Sequence, residues 1–257
     1  MVMKVMFDSN IWQKVVCPDD YISDPQYGDL CKIHQSIEEG KIEAFLSETM
    51  FTLENVKKAD RKSKMGSMTA KIETTVNEVS GGAHVRIVMG PNPADAVSFD
   101  DNPFLMKYAL ETLRLGFNIV RLPRIGMLEN KDLKGKLYNT AEDFNERASS
   151  IGEEIEKRGA GFAQIRNLVA AIPGNSMNEK IKNAPESDAK KIAKAIAEWA
   201  DGDSVAISIA LGCDCFCTRD EAHGAGQTSV LGASNVAWLN TDYGFVVKKP
   251  EELASML

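Results

Sequence analysis

The chain has 257 residues, 44% of them hydrophobic, which is enough to bury one large core or two small ones. A net charge of −7 and a pI of about 5.2 exclude the whole-surface electrostatic attraction by which basic domains hold DNA, so any contact with nucleic acid needs a local basic patch. The five cysteines, Cys17, Cys31, Cys213, Cys215 and Cys217, form no CxxC pair and are odd in number, which argues against a disulfide framework and a zinc knuckle. Lys4 and Asp8 interrupt the apolar start, so neither a signal peptide nor a membrane span is expected, and a reducing cytoplasm is the expected compartment.

In chain order, residues 3–7 read as a short buried strand and Asp29 to Glu39 as a helix with Leu30, Ile33 and Ile37 on one face, stopped by Gly40. Lys41 to Leu46 reads as a second strand, and Ser47 as the N-cap of a helix through "ETMFTLENVKKADRKSK". From 66 to 185 the signal is less regular: a strand-like stretch at Ala83–Met89, the loop "GPNPADAVSFDDNP", and helices near Phe104–Leu115, Ala141–Arg158 and Phe162–Ala171. This region reads as a mainly helical insertion or cap. An alanine-rich helix from Ser187 to Trp199 then ends in "ADGD", a second helix covers Ser204 to Leu211, and "CDCFC" is a strand with Thr218-Arg219-Asp220 at its end. Val236–Leu239 and Gly244–Val247 read as two more strands before a short terminal helix. Strands alternating with helices at both ends of the chain predict one α/β sheet, a single domain assembled from 1–65 and 186–257 with 66–185 inserted.

Ligands of open parallel sheets gather at the carboxyl ends of strands and the starts of the following helices. Asp8 closes the first strand, Asp220 follows the "CDCFC" strand, Asp203 opens the helix "SVAISIAL", and Glu54 lies about two turns into the helix after the second strand. Brought together, like charges at ~4 Å repel by roughly 4 kcal/mol at an intermediate dielectric, so such a cluster calls for bound cations. All-oxygen ligation suits Mg²⁺ or Mn²⁺. Each acid taken alone also has a structural account. Asp8-Ser9-Asn10 can be an Asx-turn, Asp203 a helix N-cap with Asp201 as an ambiguous neighbour, and Glu54 a solvated helix residue. Glu48 is the rival of Glu54, with a favourable place in a helix first turn.

The blocks "VMFDSNIW", "FLSETMFTLENV", "DGDSVAISIALGCDCFCTRD" and "GFVVKKPEEL" resemble, in order, the successive blocks of PIN-domain nucleases. The third is the most specific: an acid opening an amphipathic helix, then Gly212, then an apolar strand ending in Thr-x-Asp. The resemblance covers both ends of the chain and not the long middle. It implies a Rossmann-like sheet, a Mg²⁺ or Mn²⁺ centre and phosphodiester hydrolysis, usually of RNA. Residue by residue it assigns Asp8, Glu54, Asp203 and Asp220 to the acidic centre, Asn10 to orienting Asp8, and Thr218 to a hydrogen bond near the metal or the scissile phosphate. Two cations about 3.5–4 Å apart can activate water and stabilise the leaving oxygen. The alternatives are a PIN-like RNA-binding or scaffolding module with weak or absent catalysis, and hydrolysis of small phosphate esters under a closing insertion. Family analogy also admits a homo-oligomer, whereas the length of the chain disfavours the compact toxin that pairs with an antitoxin protein.

Other signals carry less. "GAGQTS" at 224–229 and "GAGF" at 159–162 lack phosphate-loop spacing, and His34, His84 and His223 lack zinc spacing. Cys213, Cys215 and Cys217 alternate and are expected to pack on one face. The run "KKADRKSK" from Lys57 to Lys64 is either a solvated helix end or a guide for a phosphate backbone. A diffuse group of Arg114, Arg121, Arg124, Lys131, Lys134 and Lys136 is compatible with a substrate-gripping cap.

Overall fold

The computed structural model describes residues 2–54, 56–122, 128–220 and 228–257, without the side chains of Pro103 and Phe104. Its strands are β1 (Met3–Phe7), β2 (Ile42–Ser47), β3 (Ala70–Val79), β4 (Gly82–Pro91), β5 (Asn118–Val120), β6 (Cys215–Cys217) and β7 (Val247–Lys248). The helices are α1 (Trp12–Val16), α2 (Tyr27–Glu38), α3 (Thr49–Thr52), α4 (Arg61–Ser67), α5 (Pro103–Leu115), α6 (Phe144–Lys157), α7 (Ala163–Leu168), α8 (Met177–Asn183), α9 (Ala189–Ala210), α10 (Ala233–Tyr243) and α11 (Pro250–Ser255).

Five strands form one sheet in the order β5-β2-β1-β6-β7, with every neighbouring pair parallel. The protein is therefore α/β with a parallel sheet flanked by helices, an arrangement consistent with a Rossmann-like fold. From β1 the chain proceeds outward through β2 to β5, then crosses back to β6 on the other side of β1. The strand order thus reverses between β1 and β6, where open sheets form a crevice at their carboxyl edge.

Sequence alternation builds both faces of this sheet. Val5, Phe7, Ala44, Leu46, Cys215 and Cys217 point to one side, where α1, α2, α5 and α11 cover them with Trp12, Ile33, Leu105 and Leu253. Met6, Phe45, Val120 and Phe216 point to the other, under Phe144, Ile151 and Ile155 of α6 and Val205, Ala206 and Ile207 of α9. Each such side chain, once fully buried, contributes about 1.5–3 kcal/mol, which is why short strands suffice. A third core lies beyond the sheet, where Leu53, Met65, Ile165, Ile181, Ile192, Ile196 and Trp199 join the first half of α9 to α4, α7 and α8.

Several expectations are corrected. The 66–185 region is not only a cap, because it supplies β5, an edge strand of the main sheet, and α6, which covers one face. The helix expected through 48–64 is two short ones, α3 and α4, with Glu54 beyond the end of α3. Val236–Leu239 lies inside helix α10, and of the expected strand Gly244–Val247 only Val247 is in a strand, β7. Cys215 and Cys217 share a face, but Cys213 precedes the strand and packs with the opposite core. All five cysteines are free, and burial raises the thiols of Cys213 and Cys215 to about 12, which keeps them unreactive.

The "ADGD" sequence does not break a helix, since α9 runs unbroken through it for 22 residues. Glycine inside a helix costs about 1 kcal/mol relative to alanine. The structure supplies the reason: a Cβ on Gly202 would lie 3.0 Å from the Cα of Gly161, which itself has φ +58°. α9 therefore touches the turn after α6 backbone to backbone.

β3 and β4 form a separate two-stranded ribbon whose residues are exposed along nearly its whole length. One face carries Ile72, Val76, Val85, Ile87 and Met89, with Ile72 and Ile87 60% and 62% exposed. Its base is tied by Thr69, whose N–H and hydroxyl both donate to Asp95 Oδ2. No described helix is long and apolar enough to cross a membrane.

Two stability outcomes follow. Gly202→Ala should lower stability by about 1–3 kcal/mol through overpacking, less what alanine returns to the helix, as read by denaturant unfolding. Replacing Ala70–Pro91 with a short Gly/Ser turn should leave the melting temperature nearly unchanged, because the ribbon buries little of the core; a large fall would show that it supports the fold.

Candidate active site

Asp8 follows β1 directly and Thr218 follows β6, so the reversal in strand order sets them side by side. The Asp8 N–H donates to the Cys217 carbonyl at 3.0 Å, which continues the ladder by one residue. Asp8 is only 5% exposed. Its Oδ1 accepts from the Ser9 N–H at 2.6 Å, and its Oδ2 accepts from Asn10 Nδ2 at 2.8 Å and the Thr218 hydroxyl at 2.5 Å. Asn10 Nδ2 also donates to Thr218 Oγ1 at 3.0 Å, and Asn10 Oδ1 accepts from the Arg219 N–H at 3.0 Å. The turn and the oriented carboxylate are thus the same structure, since the Asp8 carbonyl also accepts from Ile11 and Trp12 at the start of α1.

Arg219 points away from this crevice and clamps Asp24 with both terminal nitrogens, at 2.8 and 2.7 Å, while Lys14 adds a third contact at 2.7 Å. Arg219, and next to it Lys14, hold Asp24 well below the usual carboxylate range. The backbone of the Thr218-Arg219-Asp220 exit is fixed from both sides as a result. Asp220, whose N–H donates to Thr218 Oγ1 at 2.9 Å, stands exposed at the mouth.

Glu54 enters from the segment after α3 and is half-buried. Burial, followed by the charge of Asp8, raises its carboxyl to about 7 against a hydrogen bond from the Ser9 side chain and the charge of Arg61. Arg61 fixes this segment by donating to the carbonyls of Val56 at 3.1 Å, Glu54 at 3.3 Å and Ala193 of α9 at 3.5 Å. The "KKADRKSK" run is therefore divided: Arg61 braces the backbone, Lys62 pairs with Glu186 at 2.9 Å, and Lys57 and Lys58 stay exposed.

Glu48 has a different fate. It is buried and held by Arg121, with Nε at 2.5 Å and Nη2 at 2.7 Å, and Arg121 also reaches Glu129 at 2.6 Å. A carboxylate neutralised in this way serves the fold, so of the two rivals Glu54 is the one that senses Asp8. Arg121 is thereby a structural cation rather than part of a gripping surface. Arg124, His223 and positions 224–227 of "GAGQTS" lie outside the described residues.

On α9, Asp201 is an acid that senses the others. Burial pushes its carboxyl well up, followed by the charges of Asp8, Glu54, Glu198 and Asp220. Asp203 neither opens a helix nor shares this face. Two residues further on, it lies about 200° round the axis, one turn from Trp199 and Ile207 on the core side, and is fully buried. Glu198, one turn before Asp201, is buried and accepts from the Val230 N–H at 2.5 Å; burial raises its carboxyl too. Asp8 follows the same pattern, raised by burial and by Asp220 against hydrogen bonds from Thr218 and Ser9.

The arrangement thus gathers Asp8, Glu54, Asp201 and Asp220 within electrostatic reach at one carboxyl edge, with Asn10, Thr218 and Ser9 orienting Asp8. Among the described residues, no three acid, histidine or cysteine side chains form a ready-made metal cage. No family model, curated protein or solved structure matches this chain.

Sequence reasoning gave Ser9 and Arg61 no place beside the acids, passed over Glu198, and put Asp203 in the acidic centre with Asp201 as an ambiguous neighbour. The signal for Asp201 is its spacing of three from Glu198, which puts both on one helix face.

The raised Glu54 carboxyl has a pH signature. Unfolded, it loses its proton near 4.5; folded, near 7, so the stability this group contributes is full below about 4.5 and is lost as pH rises through about 7. In chelator, Glu54→Gln should remove that part of the pH profile and melt roughly 2–4 °C above wild type at pH 8. Overlapping profiles for the two proteins would refute the shift.

Proposed function

We propose that the protein is a PIN-like, metal-dependent nuclease that hydrolyses phosphodiester bonds, most readily in single-stranded RNA. The observation that carries this reading is the mutual raising of carboxyl groups at the reversal of strand order: Asp8, Glu54 and Asp201 each lie in the field of another acid. Such a set is held ionised most readily by cations. The donors are all carboxylate oxygens, which suits Mg²⁺ or Mn²⁺.

In this reading Asp8, Asp201 and Glu54 hold the cation, with Asp220 at the mouth. A bound divalent cation would supply an activated water and charge for the leaving oxygen. The chain's own residues set the geometry. Asn10, Thr218 and the Ser9 N–H fix the Asp8 carboxylate, and Arg61 holds the Glu54 segment against α9. Without a cation, burial and the charge of Asp8 keep the Glu54 carboxyl near 7, and a bound cation would favour its carboxylate.

The alternative, an RNA-binding module with weak catalysis, draws on the fact that Asp8 Oδ2 already accepts two side-chain hydrogen bonds. End-labelled single-stranded RNA and a generic phosphodiester, incubated with Mg²⁺, Mn²⁺ or chelator, separate the two readings. Metal-stimulated cleavage is expected, reduced at least 100-fold by Asp8→Asn or Asp201→Asn and less by Asp203→Asn. No metal-stimulated cleavage, or full activity in Asp8→Asn, would defeat the nuclease reading; retained RNA binding in that case would favour the module.

A further inference from the structure

The first half of α9 carries Lys190, Lys191 and Lys194, all exposed, in its first two turns. This is the unfavourable end for cations, because the helix dipole places partial positive charge there, and Asp188 answers only Lys191, at 3.0 Å. Lys190 and Lys194 make no ion pair among the described residues. Helix stability therefore does not account for these lysines.

Their placement on the helix does suggest a role. At 100° per residue, Lys190, Lys191, Lys194, Glu198 and Asp201 fall within one arc of about 100°. Exposure changes along this stripe, from open Lys190, Lys191 and Lys194 to buried Glu198 and then to half-buried Asp201. Beside it lies a cleft of about 230 Å³ lined by Lys191, Lys194, Gln164, Glu198 and Thr228. Gln164 Nε2 donates to the Thr228 carbonyl at 2.8 Å and closes its far wall. Glu198 on its floor is turned to the Val230 N–H, and it lies in the field of Asp220. A positively charged entrance thus leads along one helix to the acid cluster, with Lys194 and Lys191 about 10 and 15 Å from Asp201 along the axis.

We infer that this stripe is the track for the phosphate backbone of a single-stranded RNA, with Lys191 and Lys194 gripping phosphates that flank the one delivered to the acids. The inference rests on the nuclease reading for its endpoint, and on the helix for its path. It also answers the problem posed by the net charge, since an acidic protein needs a local cationic surface to hold a polyanion.

The test is binding without chemistry. Fluorescence anisotropy with labelled oligo(U) in chelator, across a range of KCl concentrations, compares wild type with Lys191→Gln/Lys194→Gln and with Lys32→Gln/Lys41→Gln at the opposite end of the sheet. Each single-strand phosphate contact contributes about 0.7 to the slope of log K against log salt, so the first variant should lose about 1.4 of slope and bind roughly ten- to thirtyfold more weakly at 0.1 M salt. The second should match wild type. Equal losses in both variants, no loss in the first, or no salt-dependent binding by wild type would overturn the track. Cleavage with Mn²⁺ is scored separately: binding through the lysines without cleavage defeats the nuclease reading alone, and cleavage that ignores the lysines defeats the track alone.

Discussion

The fold and the site depend on one closed set of hydrogen bonds, the Asp8–Asn10–Thr218 triangle. It sits where β1 and β6 leave the sheet, the neighbouring strands that lie furthest apart in the chain. The ladder bonds end at Cys217 and Asp8, and the triangle continues them with side chains. A buried carboxylate without these donors would be costly, because an unsatisfied charge in a low-dielectric interior forfeits its hydration. The arrangement therefore closes the seam and sets the direction of an acidic group together.

Two ways of handling buried acids appear within a few residues of each other. Glu48 is neutralised in place by the fork of Arg121, and its charge is spent within the fold. Glu54, Asp8 and Asp201 have only partial compensation, and their carboxyl groups rise as burial and mutual repulsion disfavour charge. Carboxyl groups perturbed by burial and by one another in this way are the ones on which the proposed chemistry draws. The contrast separates Glu48 from Glu54 more firmly than their positions in the chain could.

Much of this was legible in the sequence for simple reasons. Unbroken apolar runs in "VMF", "AFL" and "CFC" mark strands with two buried faces, and Asp8 and Thr218 stand out because polar residues end those runs. Asn10 is legible as a turn residue whose amide is within reach of Asp8. What was not legible depended on contacts distant in sequence. Gly202 looks like a helix break until the Gly161 backbone is seen beside it, and misreading it as a break made Asp203, not Asp201, seem to open a helix. Glu48 could not be set apart from Glu54 without Arg121, 73 residues away. β5 is only three residues long, too short for periodicity to register, and Val236–Leu239 is apolar enough for either helix or strand.

The contact between Gly202 and Gly161 also has a mechanical side. α9 is a rod of about 33 Å, and this backbone contact pins it one residue from Asp201. Any small tilt about such a fulcrum grows with distance along the rod. A rotation of about 5° moves the start of the helix, roughly 18 Å away, by more than 1 Å, yet displaces the carboxylate end by only about a tenth of that. Ile192, Ile196 and Trp199 in the third core resist such a tilt at the far end, so the helix and its acids keep their registration together.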